Sequence, residues 1–338
     1  RVDEINDRLL VGGTFQNGVE LGNTGDVLPA VLADLNEGFV AAFNLNDGVF
    51  IEGLNVLYGG FSGQVDEIEV DGLGQFFVGG RYVGNTVIGS TDINDVLNTQ
   101  TLVFGSNGGS GDRIDVTTAG FSADGSLLWS AYSQNADQFS YKPSISYYDG
   151  EAADFIYLGG SFQSSSTLVD ANGNTAILSG AGFEDIYVSR FETATGTGDL
   201  AFSDGDANSE VLYDLETDLN GNIYIGGSLN GPSRFSGISL DYAGGDFDAF
   251  MIRYDLGANA IWAQTAGGSG SEIATRVAID ADQQPYFAGL FNSNTVSFTP
   301  ANTGEDLLSL NGVEDIFLTR MGAATGSVTW TSSSNGTN

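Results

Sequence analysis

The chain has 338 residues, 41% of them hydrophobic and 11% aromatic, enough for one large all-β domain or two average ones. It carries 44 acidic against 10 basic residues, a formal net charge of −34, and Lys142 is its single lysine. A surface of that sign repels phosphate backbones and anionic lipid, so the composition argues against nucleic-acid binding and membrane-surface attachment. Cysteine and histidine are absent, which removes disulfides, thiol chemistry, Ser-His-Asp and Cys-His catalysis and the usual zinc sites.

Gly is abundant at 49 and Pro scarce at 5, the balance expected of many tight turns between unbroken strands. No apolar run approaches the roughly 18 residues that a membrane helix needs, so no membrane insertion is expected. The high negative charge reads first as solubility in a salty or calcium-containing medium. Arg1 in place of an initiating Met reads as the start of a processed or excised piece.

In chain order, a first landmark is a strand ending in small residues. It appears as Val11-Gly-Gly13, Val78-Gly-Gly80, Leu158-Gly-Gly160, Ile225-Gly-Gly227 and Phe287-Ala-Gly289, spaced by 67, 80, 67 and 62 residues. A second landmark opens on an acid and runs into an apolar strand: Glu37, Asp115, Asp185, Asp248 and Asp315, spaced by 78, 70, 63 and 67. Its fullest form is Asp248-Ala-Phe-Met-Ile-Arg-Tyr254, with Trp262 following; Trp129 and Trp330 hold the same place in their copies. Two landmarks that keep step define a repeat, with copies at about 1–60, 61–136, 137–208, 209–268 and 269–338.

Each copy divides into four predicted strands, best seen in the fourth. Val211–Thr217 is strand one, Asp218-Leu-Asn-Gly-Asn222 a turn with Asn-Gly supplying positive φ, and Ile223–Gly227 strand two. A longer polar stretch crosses to strand three at Asp248–Tyr254, and Ala260–Gln264 is strand four. Strand three is apolar on both faces, as a sheet covered by neighbours on both sides requires. The fold class read from this pattern is an all-β β-propeller of four-stranded antiparallel blades, one domain over 1–338. Whether five blades close the ring or belong to a larger one is left open. Length variation concentrates in stretches read as loops, such as 83–103, 161–181 and 228–246.

These residues resemble the bacterial SBBP-type β-propeller repeat family. The pattern is carried by Asp218-x-x-Gly221-Asn222, Ile223-Tyr-Ile-Gly226, Asp248-x-Phe250-x-x-Arg253 and Trp262, and again by Asp280, Phe287-Ala-Gly289, Asp315-x-Phe317-x-x-Arg320 and Trp330. Ala42 and Gly120 replace the basic residue in the first two copies. The resemblance implies a propeller fold and a module of a large secreted or cell-surface protein. It implies no particular activity.

Asp185, Asp248 and Asp315 invite a catalytic reading, but they recur once per copy, and the expected role is to accept backbone N–H bonds at a strand opening. Arg190, Arg253 and Arg320 inside apolar strands are expected to pair with carboxylates or carbonyls between blades. Asp170, Asn172 and Asn174, and likewise Asp218, Asn220 and Asn222, begin a calcium-loop pattern but lack its distal Glu, so an Asx turn is favoured over a Ca²⁺ site. The three tryptophans read as packing residues before sugar-stacking platforms. Asn335-Gly-Thr337 fits a glycosylation sequon in a polar tail. Catalytic residues are expected to be none.

The functional expectation is a non-catalytic module acting in adhesion, display or extracellular assembly, with a protein or glycan held at the loops and a longer polypeptide around it. The alternatives are a glycan-acting enzyme, for which Glu67, Glu69, Asp214 and Glu216 are the unrepeated carboxylates, or a multivalent lectin with one pocket per blade.

Overall fold

The computed structural model describes every residue except 22–25, 29–33, 59–61, 93–94, 103–113, 135–137, 299–306, 324 and 335–338, so the Asn335 sequon lies outside the described residues. All regular structure among them is antiparallel β-sheet, apart from three isolated parallel bridges, and no helix occurs.

Copy one supplies β1 (Val2–Asp3), β2 (Arg8–Phe15), β3 (Val19–Leu21), β4 (Asp26–Leu28), β5 (Glu37–Asn44) and β6 (Phe50–Tyr58). Copy two supplies β7 (Ser62–Val70), β8 (Phe76–Val83), β9 (Thr86–Asp92), β10 (Asp95–Leu102), β11 (Asp115–Phe121) and β12 (Leu127–Gln134). Copy three gives β13 (Gln138–Tyr148), β14 (Phe155–Gln163), β15 (Ser165–Val169), β16 (Thr175–Ser179), β17 (Asp185–Glu192) and β18 (Gly198–Asp204). Copy four gives β19 (Glu210–Thr217), β20 (Ile223–Leu229), β21 (Ser233–Phe235), β22 (Ile238–Leu240), β23 (Asp248–Tyr254) and β24 (Ala260–Ala266). Copy five gives β25 (Glu272–Ile279), β26 (Pro285–Phe291), β27 (Thr295–Ser297), β28 (Leu307–Ser309), β29 (Asp315–Met321) and β30 (Val328–Ser334).

In every copy the first, second, fifth and sixth strands lie side by side in one sheet, as in β19-β20-β23-β24. The third and fourth form an extra hairpin, so the stretches 83–103, 161–181 and 228–246 are not loops. Sequence reading misses most of these hairpins because, β9 and β10 apart, each strand has only three to five residues, too few to display a period of two. Their placement follows a rule. β9–β10 adds to β6, and β15–β16 adds to β12, widening the sheets of copies one and two to six strands. Ser297 of β27 bridges Gly267 just beyond β24, and Ser236 between β21 and β22 donates its N–H and Oγ–H to Asp204 of β18. Each hairpin of copies two to five therefore reaches back to the outer strand of the preceding copy.

The chain divides into two compact units. One comprises Arg1–Leu158, Ser165–Leu178 and Ser189–Ala201; the other comprises Gly159–Ser164, Ser179–Val188 and Phe202–Asn338. The first unit has a core of Leu10, Val40, Val65, Ile68, Phe76, Val78 and Phe121, built from the facing sides of the first two sheets. The second is centred on Tyr224, Met251, Trp262, Phe287, Phe317 and Met321, from the sheets of copies four and five.

Within each unit successive copies are clasped in the same way. Single parallel bridges join Asn36 to Ser62, Glu184 to Ser209 and Phe247 to Ser271, each linking the residue before the acid-opened strand to the start of the next copy's first strand. At the other end of the sheet an indole does the work. Trp129 Nε1 donates to Thr193 O at 2.6 Å, and Trp262 Nε1 to Ala323 O at 2.9 Å. Gly196 and Gly326, at φ +66° and +67°, lie against these rings, where an added Cβ would stand 2.7 and 2.6 Å from indole carbons. Copy one has no Trp, and there Arg8 Nη1 reaches Ala123 O at 2.9 Å instead.

Candidate functional site

The acids that open the fifth strand of each copy are buried: Glu37, Asp115, Asp185, Asp248 and Asp315. Asp185 Oδ2 accepts the N–H of Ala181 at 2.9 Å and of Gly182 at 3.1 Å; Asp315 Oδ2 accepts that of Asn311 at 2.9 Å; Asp248 Oδ2 accepts that of Ala243. Asp115 Oδ1 accepts the Ser133 hydroxyl at 2.8 Å. Asp185, Asp248 and Asp315 thus close the turn that delivers the chain to their strands, as the repetition predicted, while the Asp115 bond goes to the neighbouring strand β12.

The sequence reading did not anticipate that two of these acids meet a second buried acid from the next copy. Glu210 and Glu272 open β19 and β25, and both are fully buried. The carboxyl oxygens of Asp185 and Glu210 lie 2.4 and 2.7 Å from the place a Cβ of Gly205 would occupy, so they stand no more than about 5 Å apart. Asp248 and Glu272 are joined by a shared donor, the Gly268 N–H, and Glu272 Oε1 also accepts the Ser293 N–H at 3.2 Å. Gly267 packs directly on the Asp248 carboxyl, where a Cβ would be 2.4 Å from Cγ. A signal for these glutamates does exist in the sequence: Ser209-Glu210 and Ser271-Glu272 repeat the same dipeptide ahead of strand one.

Burial drives the electrostatics of both pairs. Desolvation pushes Asp248 up to about 7, helped by the Glu272 charge, and pushes Glu210 up to about 7, helped by Asp185 and Asp206. Glu272 and Asp185 are raised by the same cause. One oxygen in each of Glu210, Asp248 and Glu272 has no hydrogen-bond partner among the described residues. Two neighbouring buried carboxylates cannot both ionise cheaply, so each pair holds its last proton more tightly than free carboxylates do.

The remaining sequence candidates resolve into turns and pairs. Asp170 Oδ1 accepts the N–H of Asn172 and Asn174 at 2.9 and 2.8 Å, and Oδ2 accepts Asn174 Nδ2 and the Gly198 N–H at 2.9 and 3.1 Å. Asp218 accepts the N–H of Asn220 and Asn222, Asn222 Nδ2 and the Tyr224 hydroxyl at 2.9, 3.0, 2.7 and 3.2 Å. Both are Asx turns, their carboxylate oxygens accepting hydrogen bonds from the turn and its neighbours. Asp255 and Asp280 build the same turn. No group of three or more acidic ligands suited to a metal occurs among the described residues.

Arg253 Nη1 donates to Ala323 O of the next copy at 2.8 Å, as expected of a pairing between repeats. Arg190 departs from that expectation. It forms a two-point pair with Asp199 of its own copy at 2.8 and 2.7 Å and lies over the Phe155 ring at 4.7 Å. The departure has a simple cause: Asp199 stands nine residues past Arg190, where Trp262 follows Arg253. Glu67 Oε2 and Asp214 Oδ2 each accept a backbone N–H of the next copy's first strand, from Ile145 and Val277, both at 2.8 Å, and Glu69 pairs with Arg1 at 2.7 Å. A cavity of about 220 Å³ opens beside β15–β18, lined by Leu168, Asp170, Asn174, Phe191, Asp199 and Leu200, but its two carboxylates are the ones already committed to the turn and to Arg190.

No family model matches the chain, and no curated protein matches it. Among solved structures it is similar to rhamnogalacturonan lyase YesW (12% identity, TM-score 0.31), to a Bacillus licheniformis rhamnogalacturonan lyase (13%, 0.33) and to the exotype rhamnogalacturonan lyase YesX (13%, 0.34). The alignments cover 95% of this chain and 64%, 64% and 62% of those proteins, so the chain spans less than two thirds of their length. Likeness this distant carries nothing about activity.

Proposed function

We propose that the chain is a non-catalytic β-propeller-type module of a secreted or cell-surface bacterial protein, serving display, adhesion or extracellular assembly. The observation that carries this reading is the repetition of the acidic pairs. Asp185 with Glu210 and Asp248 with Glu272 occupy the same place at successive junctions, beside the same parallel bridge. A catalytic acid and base need unlike environments, whereas equivalent positions in a repeat impose like ones. The acids therefore serve the junctions. The SBBP-type resemblance and the run of four-strand sets, one per copy, support the same reading, as does a strongly acidic surface suited to a medium rich in salt.

The test is a screen of the purified chain against a polysaccharide panel for hydrolysis and elimination products, alongside a glycan array. The expected result is no turnover of any substrate. Turnover that survives purification and is lost in Glu272→Gln would overturn the reading in favour of a glycan-acting enzyme. Saturation at about five sugars per chain would point to a lectin.

A further inference from the structure

A carboxylate oxygen that is fully buried needs a donor or a counter-charge, and in the second unit several have no donor among the described residues. Asp248 Oδ2 accepts the Ala243 N–H and Glu272 Oε1 the Ser293 N–H, while Asp248 Oδ1 and Glu272 Oε2 are left over. Glu210 repeats the arrangement one junction earlier: Oε2 accepts the Asp206 N–H at 3.1 Å, and Oε1 is left over. Beside Glu210 stands Ser233, 4% exposed, whose Oγ has no well-formed hydrogen bond either. Room beside both pairs is kept by a glycine five residues before the glutamate, Gly205 before Glu210 and Gly267 before Glu272. A Cβ on Gly205 would stand 2.4 Å from Asp185 Oδ1 and 2.7 Å from Glu210 Oε2, and one on Gly267 would stand 2.6 Å from Asp248 Oδ1. Gly267 has no positive φ, so the room and not the backbone requires glycine there.

We propose that each pair holds a buried calcium ion, with Asp185, Glu210 and Ser233 Oγ supplying ligands at one junction and Asp248 and Glu272 at the other. Two carboxylates balance the charge of one divalent cation, and burial makes that balance worth more than it is at the surface. The donors are oxygens throughout, and a chain without Cys or His offers nothing to the softer metals. Calcium suits such a set better than magnesium, because it takes about six to eight oxygens, carbonyls and waters included, in flexible geometry. The junction of copies one and two is the internal contrast. Gly63 stands there at the Glu210 position, and Leu57 Cβ lies 2.9 Å from where its Cβ would be, so a leucine fills the space. No ion is expected at that junction. Without calcium a pair falls back on its tightly held proton, the state whose titration a chelator-treated sample reports.

Isothermal titration calorimetry of the chelator-treated intact chain with CaCl2 tests this, at about pH 7.5 and in roughly 0.15 M salt to suppress diffuse surface binding. The wild type is expected to take up about two ions, and its melting temperature to rise with calcium. Glu210→Gln and Glu272→Gln keep the shape and remove one charge; each should lose one ion, and the double variant both. Ser233→Ala removes a hydroxyl without a well-formed hydrogen bond, so it should fold normally and weaken one of the two ions by about tenfold. Asp218→Ala, in an Asx turn, should keep both. A wild type that takes up no calcium overturns the inference, and so does uptake that the double variant and Ser233→Ala leave unchanged.

Discussion

β23 and β29 carry the same motif, Asp-x-Phe-x-x-Arg, and have different surroundings. β23 is buried on both faces, with Ala249 and Met251 fully covered; β29 alternates, with Ile316 and Leu318 exposed at the matching positions. Local sequence makes the strand in both cases. What differs is the next repeat, which covers β23 with β25 and has no counterpart described over β29. The stability of a strand in this chain is therefore a property of the junction and not of the motif.

That comparison can be broken by substitution. The largest loss is expected from Trp262→Ala, which empties a buried site shared by Tyr224 and Phe287 and removes the N–H bond to Ala323; about 3–5 kcal/mol should appear in urea denaturation. Met251→Ala should cost about 2–4 kcal/mol, whereas Leu318→Ala, at the matching end position, should cost below about 1 kcal/mol. If the two cost the same, burial by the next repeat is not what separates them. Gly326→Ala should cost more than Gly48→Ala. Both sit at positive φ and share a strain of about 1 kcal/mol, but only at Gly326 does the new methyl meet an indole. A modest effect is expected at the Asx turns. Asp218→Ala removes the acceptor of an Asx turn and should cost about 1–2 kcal/mol, with millimolar calcium raising the melting temperature of wild type and variant alike.

Much of this was legible in the sequence. The five-fold spacing, the strand that opens on an acid and the packing role of Trp129 and Trp262 all follow from patterns repeated over whole strands. The hairpins β9–β10, β15–β16, β21–β22 and β27–β28 were not legible, because a strand such as Ser233–Phe235 is too short for alternation to register. The pairing of Asp248 with Glu272 was hidden for another reason. It joins residues of different copies, and Gly63 stands where Glu210 does in copy two, so the glutamate is not part of the common motif. Arg190 shows the same limit. Its partner depends on Asp199 replacing the tryptophan, a substitution whose consequence appears only when the two strands are laid side by side.

The central claim, that Asp185 with Glu210 and Asp248 with Glu272 are buried acid pairs held at the junctions, has a direct consequence for stability. Glu210 and Asp248 are raised to about 7 in the folded chain, so the native state binds more protons than the unfolded one between about pH 4 and 7. Stability is then fullest below about pH 4 and falls as pH rises through about 7, by on the order of 3 kcal/mol for each group. General repulsion among the surface acids acts in the same direction, so the decisive comparison is with Glu210→Gln/Asp248→Asn, which keeps the shape and removes the titration. Urea denaturation of both proteins at pH 5 and pH 8 is the measurement. The account predicts that the wild type loses several kcal/mol more than the variant between the two. Equal losses, or a wild type more stable at pH 8, would show that these carboxylates are ionised in the folded chain and would contradict it.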